Sequence, residues 1–227
     1  MTKKTVSVFS ILALIACAGL LAGCAVTTTV PISSTMSDHV LFGIKTNRQD
    51  TVSYKFASNI QDGEMTLLRH EGSENSAGTV VMHQSSVLKN MIGDYMAVKF
   101  SRVSGGSDAE ITFTLKDFTV RDVKAIDAHR ASVKITAAMN INRAGAEQET
   151  KTFIVASERR YIAQSYQPNY MVPHSSPPSE SERAALERLY RKRDTSPSRR
   201  DALSYCVHDA NNKLLLQMNS FFDEINM

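Results

Sequence analysis

The chain has 227 residues with 26 Lys and Arg against 23 Asp and Glu, a formal net charge of +3, so charge gives no reason to expect nucleic acid as a partner. Hydrophobic residues make up 42% and the length suits one compact core, which excludes a wholly disordered chain. Three cysteines, Cys17, Cys24 and Cys206, leave little room for a disulfide framework.

Lys3 and Lys4 precede an apolar run from Val6 to Leu20, and small residues Ala22 and Gly23 follow. A basic start, an apolar stretch of about 7–15 residues and small residues before a cut site describe a secretory signal. A membrane span needs roughly 20 apolar residues, and Thr27-Thr28-Thr29 arrive too soon. Leu21-Ala22-Gly23-Cys24 resembles the lipobox of bacterial lipoproteins. That resemblance implies cleavage between Gly23 and Cys24, a thioether-linked diacylglycerol on Cys24 and an N-acyl chain on the new N-terminus, with no other cofactor. Two or more acyl chains make stable anchoring. The alternative is an ordinary signal peptide with a chance cysteine. Ala25, where Asp would signal retention in the inner membrane, favours the outer membrane and its periplasmic face by the same analogy.

Removing residues 1–23 takes away Lys3 and Lys4, so 24 of the 26 basic side chains then face 23 acidic ones. With Cys24 acylated, only Cys206 keeps a thiol, and the fold must be held by its core. Residues 24–38, small and Ser/Thr-rich, read as a flexible tether, and 39–227 as one domain. Val40 to Ile44 suits a short buried strand. Val52, Tyr54 and Phe56 alternate with polar residues as in a half-buried strand, and Met65–Leu68 and Thr79–Met82 read as two more.

A helix is predicted from about Ser86 to Lys99, with Val87, Leu88, Met91, Ile92, Tyr95, Met96 and Val98 as its apolar stripe and Ser85 or Ser86 as cap. Three alternating runs follow: Ile111 to Val120 (through a bulge before Phe118), Val133 to Ile141, and Thr150 to Ala156, with Arg143-Ala144-Gly145-Ala146 as a tight link. They predict an antiparallel three-strand meander. The last helix, about Arg199 to Glu224, carries Leu203, Val207, Ala210, Leu214, Met218, Phe221 and Ile225 at spacings of three and four. The expected fold is α+β: an antiparallel sheet covered on one face by two helices, behind a lipidated tether.

Residues 158–200 differ in character, with Pro-rich irregular stretches and a capping-box pattern from Ser179 to Glu182. Arg183, Arg188, Arg191, Lys192, Arg193, Arg199 and Arg200 stand against only Glu187 and Asp194. Such a patch suits an anionic partner (an acidic envelope protein, lipopolysaccharide phosphate, peptidoglycan or lipid headgroups) or is solvated surface. Cys206 and His208 are two apart on a helix and do not face each other, so Cys206 reads as core unless exposed. Asp117, Asp122, Asp223 and Glu224 read as solvated or capping groups. No His or Cys spacing suits a metal, and no nucleophile elbow or phosphate loop is present.

The order of parts is similar to that of YajG-like outer-membrane lipoproteins and, more distantly, of PqiC-like auxiliary lipoproteins of lipid transport. The likeness is carried by Val87 to Ile92, Ile111 to Leu115, Ala131 to Ala137 with Gly145, and Ala210 to Met218. Relative to that pattern, 158–200 is a polar, basic insertion. The resemblance implies a non-enzymatic lipoprotein that binds or scaffolds another envelope component. The alternative is a transport accessory holding an acyl chain between sheet and helices, near Met91, Met139 or Phe221. No catalytic residues carry over, and no site argues for an enzyme.

Overall fold

The longest strand sets the frame because its pattern breaks once and recovers. In the computed structural model, which describes residues 27–69, 76–103, 108–124, 128–162, 181 and 197–227, Ala109–Lys124 is one strand of 16 residues. Ile111, Phe113 and Leu115 point inward, Lys116 and Asp117 are both exposed, and Phe118, Val120 and Asp122 then resume the inward face. The register passes from Leu115↔Ala137 to Asp117↔Thr136, so Lys116 is the extra residue of a bulge that shifts the inward parity. His129–Arg143 and Glu149–Tyr161 complete the meander in antiparallel register.

With elements numbered in chain order, the strands are β1 (Thr28–Thr29), β2 (Asn47–Ser58), β3 (Gly63–Leu68), β4 (Ser76–Met82), β5 (Phe100–Val103), β6 (Ala109–Lys124), β7 (His129–Arg143) and β8 (Glu149–Tyr161). The helices among the described residues are α1 (Asp38–Gly43), α2 (Gln84–Lys99) and α3 (Arg199–Glu224). All eight strands share one sheet. The expected all-antiparallel pairing is corrected to a mixed sheet. β2 runs parallel to both β5 and β6, and β1 runs parallel to β4. The reason is the connection: parallel neighbours need a long crossover, and β3, β4 and α2 lie between β2 and its two partners.

Two helix ends differ from expectation. At α2 the N-cap position is His83, which makes no side-chain cap bond. The first amides are instead served by Asp62 from the β2–β3 connection, whose carboxylate accepts from Ser85 N at 2.7 Å and Ser86 N at 3.0 Å. At α3, Ser198 and Asp201 form a reciprocal capping box, with Asp201 N donating to Ser198 Oγ at 3.1 Å. The box expected at Ser179 and Glu182 lies outside the described residues.

α2 and α3 interlock through buried polar groups as well as apolar ones. Gln84 Nε2 donates to Asn211 Oδ1 at 2.7 Å, Tyr95 OH to Asn219 Oδ1 at 3.1 Å, and Lys99 Nζ pairs with Asp223 Oδ1 at 2.6 Å. Asp223, which reads from sequence as a solvated or capping group, is the counter-charge of a buried lysine. Between helices and sheet, Phe222 meets Tyr95 and Phe100, and Phe221 meets Phe153. Among the described residues no helix is long and apolar enough to cross a membrane.

Val40 to Ile44 is not a strand. It falls mostly in α1, where Val40 alone is buried and Ser37 and Asp38 open the turn. A five-residue apolar run does not by itself separate strand from helix.

Candidate functional site

Two regions are candidates for a functional site: the N-terminal strap and the polar end of the meander. The stretch read as a tether lies against the body from its first described residues. Thr28 and Thr29 pair with Val80 and Val81, Val30 N donates to Val81 O at 3.0 Å, and Val30 is buried. Pro31 O accepts from Ser204 Oγ at 2.5 Å, and Ile32 and Met36 pack on the core. Ser37 N and Oγ both donate to Asn212 Oδ1 at 2.9 Å. The flexible tether expected over 24–38 is corrected for 27–37: pairing with β4, side-chain hydrogen bonds to α3 and apolar burial fix this stretch to the body. Gly23 and Cys24 lie outside the described residues.

At the other region, Asp122 is buried at the end of β6. Its Oδ1 accepts from Tyr161 OH at 2.7 Å and lies 3.2 Å from His129 Nδ1, while Oδ2 faces Arg199 Nε across an ion pair of 3.2 Å. The His129 ring tilts against Tyr161 with centroids 5.3 Å apart. Burial, then the bond to Asp122, hold the Tyr161 hydroxyl well above the usual phenol range and keep it protonated. Asp122 reads from sequence as a solvated or capping group; it is instead a junction of three strands and a helix.

The junction also divides the basic stretch. Arg199 pairs with Asp122, whereas Arg200 is exposed. Arg159 and Arg160 belong to β8 and not to an insertion, and Arg159 stacks 4.2 Å from the Tyr205 ring centroid. The region between β8 and α3 thus narrows to 162–198. Arg183, Arg188, Arg191, Lys192 and Arg193 lie outside the described residues.

Beside β8 is an open cleft of about 610 Å³ bordered by Arg121, Lys134, Glu158, Asp209 and Lys213 among others. Asp209 accepts from Ser157 Oγ at 2.6 Å and pairs with Lys213 at 2.7 Å. Burial raises its pKa, but the Lys213 and Ser157 hydrogen bonds outweigh that and leave it below the usual carboxylate value. This charged cleft does not contain the side chains expected to line an acyl pocket. Met91 and Met139 are fully buried in the core, and Phe221 packs edge-on against Phe153 with Lys151 over its ring.

No family model matches the chain. No curated protein matches it either, so the likeness to YajG-like or PqiC-like proteins rests on the sequence pattern. Among solved structures it is similar to protein XCC0632 from Xanthomonas campestris, described under DUF330, at 12% identity and a TM-score of 0.46, covering 88% of this chain and 99% of that one. A minor lipoprotein from Acinetobacter baumannii matches at 9% identity and TM-score 0.34, covering 75% of this chain and 92% of that one. Rare lipoprotein B from Shewanella oneidensis matches at 8% and 0.33, covering 77% and 99%.

Cys206 sits where the sequence placed it, in the core. It is fully buried, its Sγ 3.5 Å from Ala131 O, and burial pushes the thiol up to about 11. A protonated, enclosed thiol is a poor nucleophile and cannot form an intermolecular disulfide without unfolding. His208 Nε2 lies 3.1 Å from Nδ2 of Asn212, the residue whose Oδ1 accepts from Ser37 of the strap. Among the described residues no three His, Cys, Asp or Glu side chains are grouped to hold a metal. The features that sequence reading missed are the Asp122 junction and the buried asparagines 211, 212 and 219. Asparagine is a poor helix former, and three within residues 211–219 of one helix are a readable sign of specific bonding.

Proposed function

We propose that this protein is a non-enzymatic envelope lipoprotein, cleaved after Gly23 and acylated at Cys24, whose body stands at the periplasmic face of the outer membrane and binds or scaffolds another envelope component. The observation that carries this reading is Leu21-Ala22-Gly23-Cys24 behind a basic, apolar signal. The strap supports it: Thr28 is already part of the sheet, so little chain separates the acylated sulfur from the folded body. The partner is anionic and meets the basic stretch at Arg183, Arg188, Arg191, Lys192, Arg193 and Arg200, with Arg199 serving Asp122.

The anchor is tested by Cys24→Ser. Cells fed labelled palmitate should label the wild type and not the variant, and the wild type should sediment with outer membranes. A Cys24→Ser protein that is still processed, labelled and membrane-bound would defeat the proposal. Partner binding is tested by reversing Arg191, Lys192 and Arg193 to Glu. Crosslinking in intact cells should then lose its main adduct, by roughly tenfold if the charges contribute about 1.4 kcal/mol. An unchanged adduct would make the stretch ordinary solvated surface.

A further inference from the structure

The strap has two ends, and both bear on how the body faces a bilayer. At one end, Thr28 is locked opposite Val80. Consecutive residues span at most about 3.6 Å, so the four steps from Cys24 to Thr28 reach no more than about 14 Å. An acyl group on that sulfur therefore holds this side of the molecule close to the lipid surface.

From there the strap follows α3. It touches the helix at Ser204 through Pro31, at Asn212 through Ser37, and at Asn219 through the carbonyl of Gly43, which accepts from Asn219 Nδ2 at 3.2 Å. These contacts are eight and then seven residues apart, and at about 1.5 Å per residue they cover roughly 22 Å of the helix axis. The strap is thus a band laid lengthwise on α3, with α1 at its far end.

At that far end two apolar side chains point into solvent. Val40 turns inward, but Phe42 is 89% exposed and Leu41 39% exposed. Phe42 is the most exposed of the large apolar side chains described. In sequence it lies between Asp38 and Lys45, which carry opposite charges.

We infer that Phe42, with Leu41 beside it, is a second membrane contact, entering the phospholipid interface so that α3 lies along the bilayer plane with the strap beneath it. The inference rests on the reading of Cys24 as acylated. The acyl chains supply the anchoring. Phe42 need only select one orientation, since a short tether already keeps it at high local concentration near the surface. The contact is apolar and not electrostatic, which distinguishes it from the basic stretch.

The chain contains no tryptophan, so Phe42→Trp places a single reporter at an exposed position that tolerates it. Ile154→Trp is the control: Ile154 is 59% exposed on β8 and alternates with Phe153 and Val155, which are buried beneath the helices. Each full-length variant is acylated in cells, purified and reconstituted into vesicles of phosphatidylethanolamine with or without phosphatidylglycerol, with no other protein present. Mass spectrometry checks the acyl group, and flotation checks binding.

Indole emission from the Phe42→Trp protein should shift to the blue and fall about twofold or more with lipids brominated along the chains, as for a ring about 5–10 Å into the interface. The Ile154→Trp control should stay unquenched, and the result should not depend on phosphatidylglycerol. Unquenched emission from acylated, floating Phe42→Trp protein overturns the inference, leaves the anchor standing and makes Phe42 a contact for a protein. Equal quenching of the Ile154→Trp control, or quenching of Phe42→Trp only with the anionic lipid, also overturns it. Protein that is neither acylated nor floats defeats the anchor reading and this inference together.

Discussion

Phe222→Ala should lower stability by about 3–5 kcal/mol, the range for removing a large buried aromatic side chain. Phe222 is fully buried where three elements meet: its ring lies edge-on to Phe100 at 5.3 Å, stacks with Tyr95 at 6.2 Å and tilts against Phe221 at 6.5 Å. The walls of the resulting cavity are poorly able to close in. Tyr95 is tied by its hydroxyl to Asn219, and Lys99 one turn on is held by Asp223. A site that cannot collapse keeps its void, and the loss grows with the void. Phe222→Leu should cost less, about 1–1.5 kcal/mol, because most of the volume remains. Phe221→Ala should also cost less than Phe222→Ala, since Phe221 is 8% exposed and water can fill part of its place. Urea unfolding followed by circular dichroism gives all three values. If Phe222→Ala costs no more than Phe222→Leu, the walls move and the interlock of α2 with α3 is looser than described.

How much of this was legible in the sequence depends on the range of the cause. The meander and α3 were readable because alternation and the stripe of threes and fours are local signals. The bulge was readable too, as a change of parity between Leu115 and Phe118. Its consequence is less plain: once Phe118 and Val120 face inward, Asp122 has the same parity and is buried. Lys99 offers the same lesson, since it continues the α2 face of Leu88, Met91, Ile92, Tyr95 and Met96. A charge that falls on an apolar stripe signals a buried pair, and its partner, Asp223, lies 124 residues away. The parallel pairing of β2 was not legible at all. Residues 52–58 specify two faces but nothing about which edge they meet, and that choice is made by the long crossover through α2. The fixed strap is not legible in the sequence, because small Ser and Thr residues suit a flexible tether and a stretch pinned by Asn212 and Ser204 equally well. Of the candidate site, Arg199 and Arg200 fall among the described residues, while Cys24 and residues 183–193 do not.

Asp122→Ala should lower stability by about 2–4 kcal/mol, more than its single hydroxyl bond would suggest. The carboxyl side chain is 6% exposed and serves three partners at once. Removing it leaves the buried Tyr161 hydroxyl without its acceptor, at about 1–3 kcal/mol for an unsatisfied buried group. It also strips the half-buried Arg199 of this counter-charge and His129 of its neighbour. Asp122→Asn should be milder, about 1–2 kcal/mol, because an amide oxygen still accepts from Tyr161 while the charge facing Arg199 is lost. Tyr161→Phe removes one bond and should cost about 1 kcal/mol. The expected order in urea unfolding is therefore Asp122→Ala, then Asp122→Asn, then Tyr161→Phe. A double-mutant cycle between Asp122→Ala and Arg199→Ala should return a coupling of about 0.5–3 kcal/mol. If Asp122→Ala costs no more than Tyr161→Phe, the ion pair and the histidine contribute nothing. The junction has a further consequence for the basic stretch. Tyr161 ends β8 and Arg199 begins α3, so one carboxylate holds both ends of residues 162–198 together. Closing a chain segment at its ends removes entropy that a partner would otherwise have to overcome on binding. Asp122→Ala should for that reason weaken the crosslinked adduct of the basic stretch even in conditions where the protein stays folded, and an adduct insensitive to Asp122 would separate the stretch from the junction that borders it.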